Sequence, residues 1–256
     1  MRSAVALLVT LVSGVTLAQS PDPKALLEKS IAFHGGKAAL ASLPDVKETG
    51  TIETPGRSAG RARDFVAYER GDGGRRTEVT FEFRGRQVTA IEIYDGKMCK
   101  QRFGSGWDEL PLDENRERAA HRLDLLLRAL DRAPSLTGEG TEAGAPVWQV
   151  AIDDGPRGKA TLSLAKDDGR LVAIEYPGTE AAGMGTKKDV TRKVVYHAFQ
   201  PVGAVKLPSD IEMVKDGTFD GRMRFERMEA VPDWDDGWLQ VPDARRRFIP
   251  PDELAF

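Results

Sequence analysis

The sequence predicts an α+β protein built on one strongly curved antiparallel sheet of about 10 to 12 strands, with a helix covering its concave face. Three observations predict it. Short segments of alternating polarity fill most of the chain, Asp-Gly pairs part many of them, and an amphipathic helical pattern interrupts the series with a leucine stripe that needs an apolar surface to lie on.

The first twenty residues, MRSAVALLVTLVSGVTLAQS, carry Arg2, an apolar run from Ala4 to Ala18 and small residues before Ser20. This is the pattern of a secretory signal peptide, with an apolar run short of the ~20 residues that span a bilayer. The expected mature protein is residues 21–256, a single domain exported to the periplasm and released there, with no cysteine at the cleavage region for a lipid anchor. Cys99 is the only cysteine, so no internal disulfide can staple the fold and the core must hold it. Basic and acidic side chains number 37 and 40. This balance argues against a nucleic-acid surface and against a strongly charged membrane patch.

The elements follow in order. Pro21 to His34 reads as an amphipathic helix, with Asp22 as cap, Pro23 in the first turn, and Leu27, Ile31 and His34 on one stripe. Gly35-Gly36 then ends it. Because these glycines follow a helix rather than a strand, they lack the order of a phosphate-binding turn and read as a C-cap at positive φ. His34, in the last turn, is expected to favour the negative end of the helix dipole and pack beside Ile31. Lys37 to Leu43 adds a further turn before Pro44.

From Val46 the period becomes two. VKETGTIET, RARDFVAYE, RRTEVTFEF, QVTAIEIYD and KMCKQRF are the first strand segments. Asp113 to Arg132 then reads as a helix, with Leu123, Leu126, Leu127 and Leu130 on one stripe. VWQVAID, KATLSLA, RLVAIEYP, DVTRKVVYHAF, VKLPSDIEMVK and FDGRMRFERMEAV resume the strands, and Gly178 to Lys188 reads as a long hairpin loop. Asp95-Gly96, Asp154-Gly155, Asp168-Gly169 and Asp216-Gly217 lie between strand segments, where these residues tolerate the positive φ of tight hairpins.

Few residues are available for catalysis or metal binding. His121 and Asp124 stand three apart on the middle helix, without a nucleophile near them, and read as a charged pair on its wet face. His197 reads as a strand residue at the sheet surface. No metal-ligand spacing is present, and Asp153-Asp154, Asp167-Asp168 and Asp235-Asp236 read as turn chemistry before calcium sites. Cys99 reads as a small apolar strand residue, with intermolecular pairing as the alternative. Trp234 and Trp238 read as a plug for the open end of the sheet, or as a docking patch.

The chain also resembles a known family. The segment FHGGKAALASLPDVKETGTIET at 33–54, the YDG turn at 94–96 followed by Trp107, and GAVKLPSDIEMVKDGTFDGRMRFERMEAV at 203–231 running on to FIPP at 248–251 are similar to the bacterial outer-membrane lipoprotein-sorting proteins. These are relatives of the periplasmic lipoprotein carriers LolA and LolB. The resemblance implies an unclosed half-barrel, with helices lying in its concavity, whose apolar interior shelters acyl chains; separately, nothing in the chain assembles a nucleophile, base and oxyanion donor, so neither a catalytic residue nor a cofactor is expected.

On that reading, alternation puts Val79, Phe81, Phe83, Ile91, Ile93, Trp148, Val150, Ile152, Val172 and Ile174 on the cavity wall. Leu123, Leu126, Leu127 and Leu130 are the lid. The same residues could instead close on one another as a filled core, because both arrangements share one binary pattern. The implied partners are lipid or lipoprotein acyl chains, with a delivery partner at the inner or outer membrane, and a monomer is expected. A non-transporting envelope sensor or partner-binding protein on the same scaffold is the alternative function.

Overall fold

The computed structural model describes residues 20–55, 62–95, 98–103, 106–109, 123–155, 158–181 and 186–240. The expected signal peptide apart from Ser20, the predicted helix before Leu123 with His121, and the FIPP segment lie outside the described residues.

Among the described residues, thirteen antiparallel strands form one sheet. In chain order these are β1 (Val46–Glu53), β2 (Arg63–Glu69), β3 (Arg75–Phe83), β4 (Arg86–Tyr94), β5 (Cys99–Phe103), β6 (Gly106–Glu109), β7 (Ser135–Glu142), β8 (Ala145–Asp153), β9 (Lys159–Ala165), β10 (Leu171–Ala181), β11 (Lys187–Val202), β12 (Val205–Lys215) and β13 (Thr218–Ala230). Their spatial order is β6-β5-β4-β3-β2-β1-β13-β12-β11-β10-β9-β8-β7, so the first and last strands of the chain meet in the middle and β6 and β7 form unjoined edges. Before the sheet stand α1 (Pro23–Phe33) and α2 (Lys37–Ala41); α3 (Leu125–Leu130) lies between β6 and β7. The sheet is an unclosed, curved half-barrel.

Hairpin chemistry behaves as the Asp-Gly pairs predict. Asp154-Gly155 and Asp216-Gly217 directly follow the last residues of β8 and β12, Asp95 directly follows β4, and Asp168-Gly169 lies in the turn between β9 and β10. At Asp216-Gly217 both residues have positive φ, 48° and 75°, which matches the right-handed twist of the flanking strands. The strands number more than expected because β6 and β7 escaped the pattern. β6 has only four residues, and β7 (SLTGEGTE) offers Leu136 as its one large apolar side chain. The expected loop at Gly178 to Lys188 is also shorter, since β10 runs on to Ala181 and β11 begins at Lys187.

Register shifts bend the sheet. They interrupt the β1–β13, β12–β13, β11–β12, β9–β10 and β7–β8 pairings, whereas β2–β3 and β3–β4 run unbroken. At the central seam, Thr49 faces Arg227 and Gly50 faces Phe225, leaving one extra residue on β13. A side-chain carbon at Gly50 would sit 2.0 Å from the Arg224 carbonyl oxygen, so the close approach at this bulge requires glycine.

The helices pack on the concave side of the sheet's C-terminal half. Asp22 caps α1 by accepting from the Lys24 amide at 3.1 Å, and Pro23 opens the helix. Leu27 and Ile31 of α1, Leu40 of α2 and Leu125, Leu126 and Ala129 of α3 join Val150, Leu162, Leu164, Leu171 and Ile174 from the sheet in one buried cluster. Arg128 fastens α3 to the β8–β9 turn, its guanidinium donating to the buried Asp154 carboxylate at 3.1 Å. That bond gives the second aspartate of the Asp153-Asp154 pair its partner, while the Asp153 carboxylate accepts from the Gly155 amide within the turn.

His34 corrects an expectation. Its ring is fully buried, with Nδ1 3.0 Å from the Lys206 carbonyl oxygen and Nε2 3.4 Å from the Leu171 amide. The geometry assigns the proton to Nδ1, leaving Nε2 to accept. Burial is the main cause that pushes its pKa down from 6.5 to about 4, against the Lys206 carbonyl, which pulls it up. The imidazole is therefore a neutral clamp between the helix end and two hairpins, not a cation on the helix dipole. Gly35 completes the clamp as the expected C-cap. With φ 112° it brings the chain so near the β11–β12 turn that a Cβ would lie 2.1 Å from the Ala204 carbonyl oxygen.

Two predictions follow from this junction. Gly35→Ala should lower stability by about 1–3 kcal/mol or more, measured as a shift of the urea midpoint, and an unchanged midpoint would contradict the clamp. As pH falls from 6.5 toward 4, the unfolded chain protonates His34 while the folded chain resists, so the native state loses up to about 3 kcal/mol in that window. Comparing denaturation of the protein with His34→Gln across that range should therefore show the gap between them narrowing toward acid; parallel profiles would refute a buried neutral imidazole.

Candidate functional site: a half-filled concave face

Cross-strand pairing fixes which side chains point inward. Val46, Glu48, Gly50 and Ile52 on β1 face Glu69, Ala67, Phe65 and Arg63 on β2, and Phe65, Ala67 and Glu69 face Val79, Thr77 and Arg75 on β3. Across the seam, Glu48 faces Met228, Gly50 faces Phe225 and Ile52 faces Met223. Met223 in turn faces Ile211 on β12, and Tyr196 on β11 faces Ile211. All belong to the concave face.

That face is divided. Under β8 to β11 the helices and leucines fill it. Between β1–β4 and β11–β13 it encloses an open cavity of about 510 Å³, within the range of small-molecule binding sites. Val79, Ile211, Met213, Met223, Phe225 and Met228 supply its apolar wall, and Leu123, Tyr176 and Tyr196 stand where it meets the helix-filled core. Three methionines give the wall flexible, polarizable side chains that adapt to irregular shapes.

A polar band crosses one part of this wall. Arg75 Nη2 donates to Glu48 at 2.9 Å and Arg75 Nη1 to Glu69 at 2.5 Å. Glu48 is only 4% exposed. Burial is the main reason its carboxyl is pushed up to about 7; Arg75 opposes the rise and Glu69 adds to it. Burial alone would lower the Arg75 guanidinium, but the carboxylates of Glu48, Glu69 and Glu92 outweigh it and hold it raised. Among the described residues, no group of His, Cys, Asp and Glu is arranged to hold a metal ion.

The residues expected on the wall separate into three sets. Val79 lines the cavity, while Phe81 lies farther along the same face of β3 with the Arg63 guanidinium over its ring at 5.4 Å. Of Phe83 only the backbone is described. Val150, Ile152 and Ile174 belong to the helix-packed core, and Trp148, facing Leu164, lies half-buried under Lys166 at 3.9 Å.

Ile91, Ile93 and Val172 point to the other side. Ile91 pairs with Glu78 and Ile93 with Arg76, on the convex face; although Ile91 borders the cavity, both side chains pack with Trp107, Leu239 and Trp234. The shift between Leu171 and Ala173 leaves Leu171 and Ile174 facing Leu164 and Leu162, while Val172 packs with Val147 and Ala165. Alternation alone misses both effects, because register and bulges decide the face.

The leucine stripe also splits. Leu123 reaches the cavity, whereas Leu126, Leu127 and Leu130 pack in the filled half. Trp234 and Trp238 correct a further expectation: they cover the convex face, Trp234 beside Ile91 and Ile93 and Trp238 with its ring 4.3 Å from that of Tyr68, rather than plugging an open end. Cys99 is fully buried, and His197 lies on the sheet surface against Glu212 at 3.1 Å.

Sequence reasoning missed Glu48, Glu69, Arg75 and Glu92, and the β12–β13 part of the wall. One signal was present. Glu48 falls in the same alternating set as Val46, Gly50 and Ile52, an acid at an otherwise dry parity.

No protein-family model matches the sequence, and no curated protein matches it. Solved structures do. A LolA superfamily protein from Nitrosomonas europaea superposes with a TM-score of 0.52 at 13% identity, covering 87% of this chain and 99% of that one. A DUF1329 family protein from Desulfovibrio piger gives 0.55 at 11% identity, covering 86% and 98%. A domain described as an outer membrane lipoprotein-sorting protein, from Vibrio parahaemolyticus, gives 0.51 at 9% identity, covering 84% and 95%. The protein has a LolA-like fold, shared with the Nitrosomonas LolA superfamily protein and the Vibrio lipoprotein-sorting domain.

Proposed function

We propose that the protein is a periplasmic carrier that shelters the acyl chains of a lipid or lipoprotein in the open half of its concave face. The observation that carries this reading is the division of that face: helices fill one half, and the other keeps about 510 Å³ behind an apolar, methionine-rich wall. The need for such a container is energetic. An acyl chain of ~16 carbons exposed to water costs on the order of 12 kcal/mol, at about 0.8 kcal/mol per methylene. Fold likeness to lipoprotein-sorting domains supports the class of cargo, and no helix among the described residues is long and apolar enough to cross a membrane. Val79, Ile211, Met213, Met223, Phe225 and Met228 would contact hydrocarbon, and Leu123 marks where the helix-filled half would meet it. A membrane-bound donor or acceptor would load and unload the carrier. No catalytic step belongs to this role.

Native mass spectrometry of protein purified from the exported fraction should detect co-purifying lipid, and the delipidated protein should bind a neutral fluorescent long-chain alcohol. Ala90 lines the cavity opposite Val79, so Ala90→Trp should weaken that binding about tenfold or more with little change in melting temperature, since it occupies space without opening the core. Unchanged affinity in a folded Ala90→Trp variant would place the ligand elsewhere.

A further inference from the structure

Three of the chain's six methionines, Met213, Met223 and Met228, line the open cavity. All three lie on β12 and β13, and each is half-buried, so its sulfur belongs to a wall that solvent reaches when the cavity is empty. Met98 is half-buried as well, just before β5, but does not border the cavity. Cys99 is fully buried and does not border it either.

Pairing places Met223 at a dry point of the wall. It faces Ile52 on β1 and Ile211 on β12, and it packs against the cluster of Phe65, Ala67 and Phe225. Met228 packs on the same cluster and faces Glu48. Met213 faces Gly221, where a side-chain carbon would lie 2.8 Å from the Met213 Cε methyl, so glycine leaves this thioether room to lie across β13.

A thioether is soft and apolar, which suits it to an irregular hydrocarbon wall, and it is also the group that a two-electron oxidant attacks once within reach. A peroxide completes the step unaided. The sulfur lone pair attacks one peroxide oxygen, the O–O bond breaks as the S–O bond forms, and the second oxygen leaves as water; sulfur is oxidised and the peroxide reduced. The product carries a strong hydrogen-bond acceptor. At Met223 the side chains of Ile52 and Ile211 offer that oxygen no donor, and hydrocarbon laid on the wall would exclude the water that otherwise satisfies it. Binding and oxidation thus oppose each other.

Resting on the carrier reading, we propose that Met223, with Met213 and Met228 on the same wall, is a site of oxidative modification by peroxides that switches off hydrocarbon binding, and that bound cargo shields it.

Hydrogen peroxide treatment of the delipidated protein tests this, with peptide mass spectrometry locating sulfoxides and titration with the neutral fluorescent alcohol reading affinity. Sulfoxide at the three cavity methionines should weaken binding about tenfold or more while the protein still melts cooperatively, and methionine sulfoxide reductases for both epimers, supplied with a thiol reductant, should restore it. Saturating dodecanol should slow oxidation of Met223 severalfold and leave that of Met98 unchanged. Each variant is compared with itself before and after peroxide: Met223→Leu should lose part of the peroxide effect, and its combination with Met213→Leu and Met228→Leu nearly all of it. Met223→Leu alone serves if the combination fails to fold. Retained affinity after oxidation at all three sites, sulfoxide confined to Met98, a loss that accompanies unfolding, oxidation of Met223 that dodecanol does not slow, or a peroxide effect undiminished in Met223→Leu overturns the proposal and leaves the carrier intact. Untreated protein that binds no fluorescent alcohol overturns the carrier reading itself.

Discussion

A large antiparallel sheet that bends without closing must cover its dry concave face with something other than itself. The rest of this structure depends on that constraint. Among the described residues three helices serve, the longest of 11 residues, and they pack chiefly against β8 to β11, with Leu136 of β7 and Val205 of β12 at the margins of the same cluster. Beneath them the face is packed as an ordinary core. Beyond them, across the seam where β1 meets β13, the same apolar face continues and lines the cavity. Filled core and lined cavity are therefore not alternatives here but neighbours on one surface, meeting at Leu123, Tyr176 and Tyr196.

The boundary between the two halves is held by specific devices. His34 ties the end of α1 to the β9–β10 and β11–β12 hairpins with both ring nitrogens, Gly35 allows the backbone contact with Ala204, and Lys29 reaches the carbonyl oxygens of Lys166 and Asp167 at 3.0 and 2.6 Å. On α3, Arg128 bridges Asp124 and Asp154. These bonds fix the helices to one side. On the other side an Arg75–carboxylate network, with Glu48 buried and Glu69 partly exposed, takes the place of apolar packing. The network stands on the cavity wall and not in the helix-filled core.

Much of the architecture was legible in the sequence. Alternation gave eleven of the strands, Asp-Gly pairs gave four of the turns, and the cap and glycine step gave α1 with its end. Edge strands β6 and β7 stayed hidden because one is too short and the other too polar to show a face. The site was less legible, for a different reason. A one-residue bulge reverses every later side chain on a strand, so Val172 and Ile174 part company, and Ile91 and Ile93 point outward because their register with β3 pairs them with Glu78 and Arg76. Period two says that a strand has a dry side; only pairing says which side of the sheet it is. His34 shows the same limit for charge, since nothing in its neighbours along the chain announces the hairpins that bury it.

The central claim is spatial: hydrocarbon belongs in the open half and is excluded from the helix-filled half. Crystals soaked with a brominated long-chain alcohol test it most directly, through the anomalous signal of the bromine. The account predicts density between β1–β3 and β11–β13, beside Val79, Met223 and Phe225, with α1 and α3 in place. Bromine density among Leu27, Leu126 and Leu162, or a cavity without any in a crystal saturated with the probe, would contradict it.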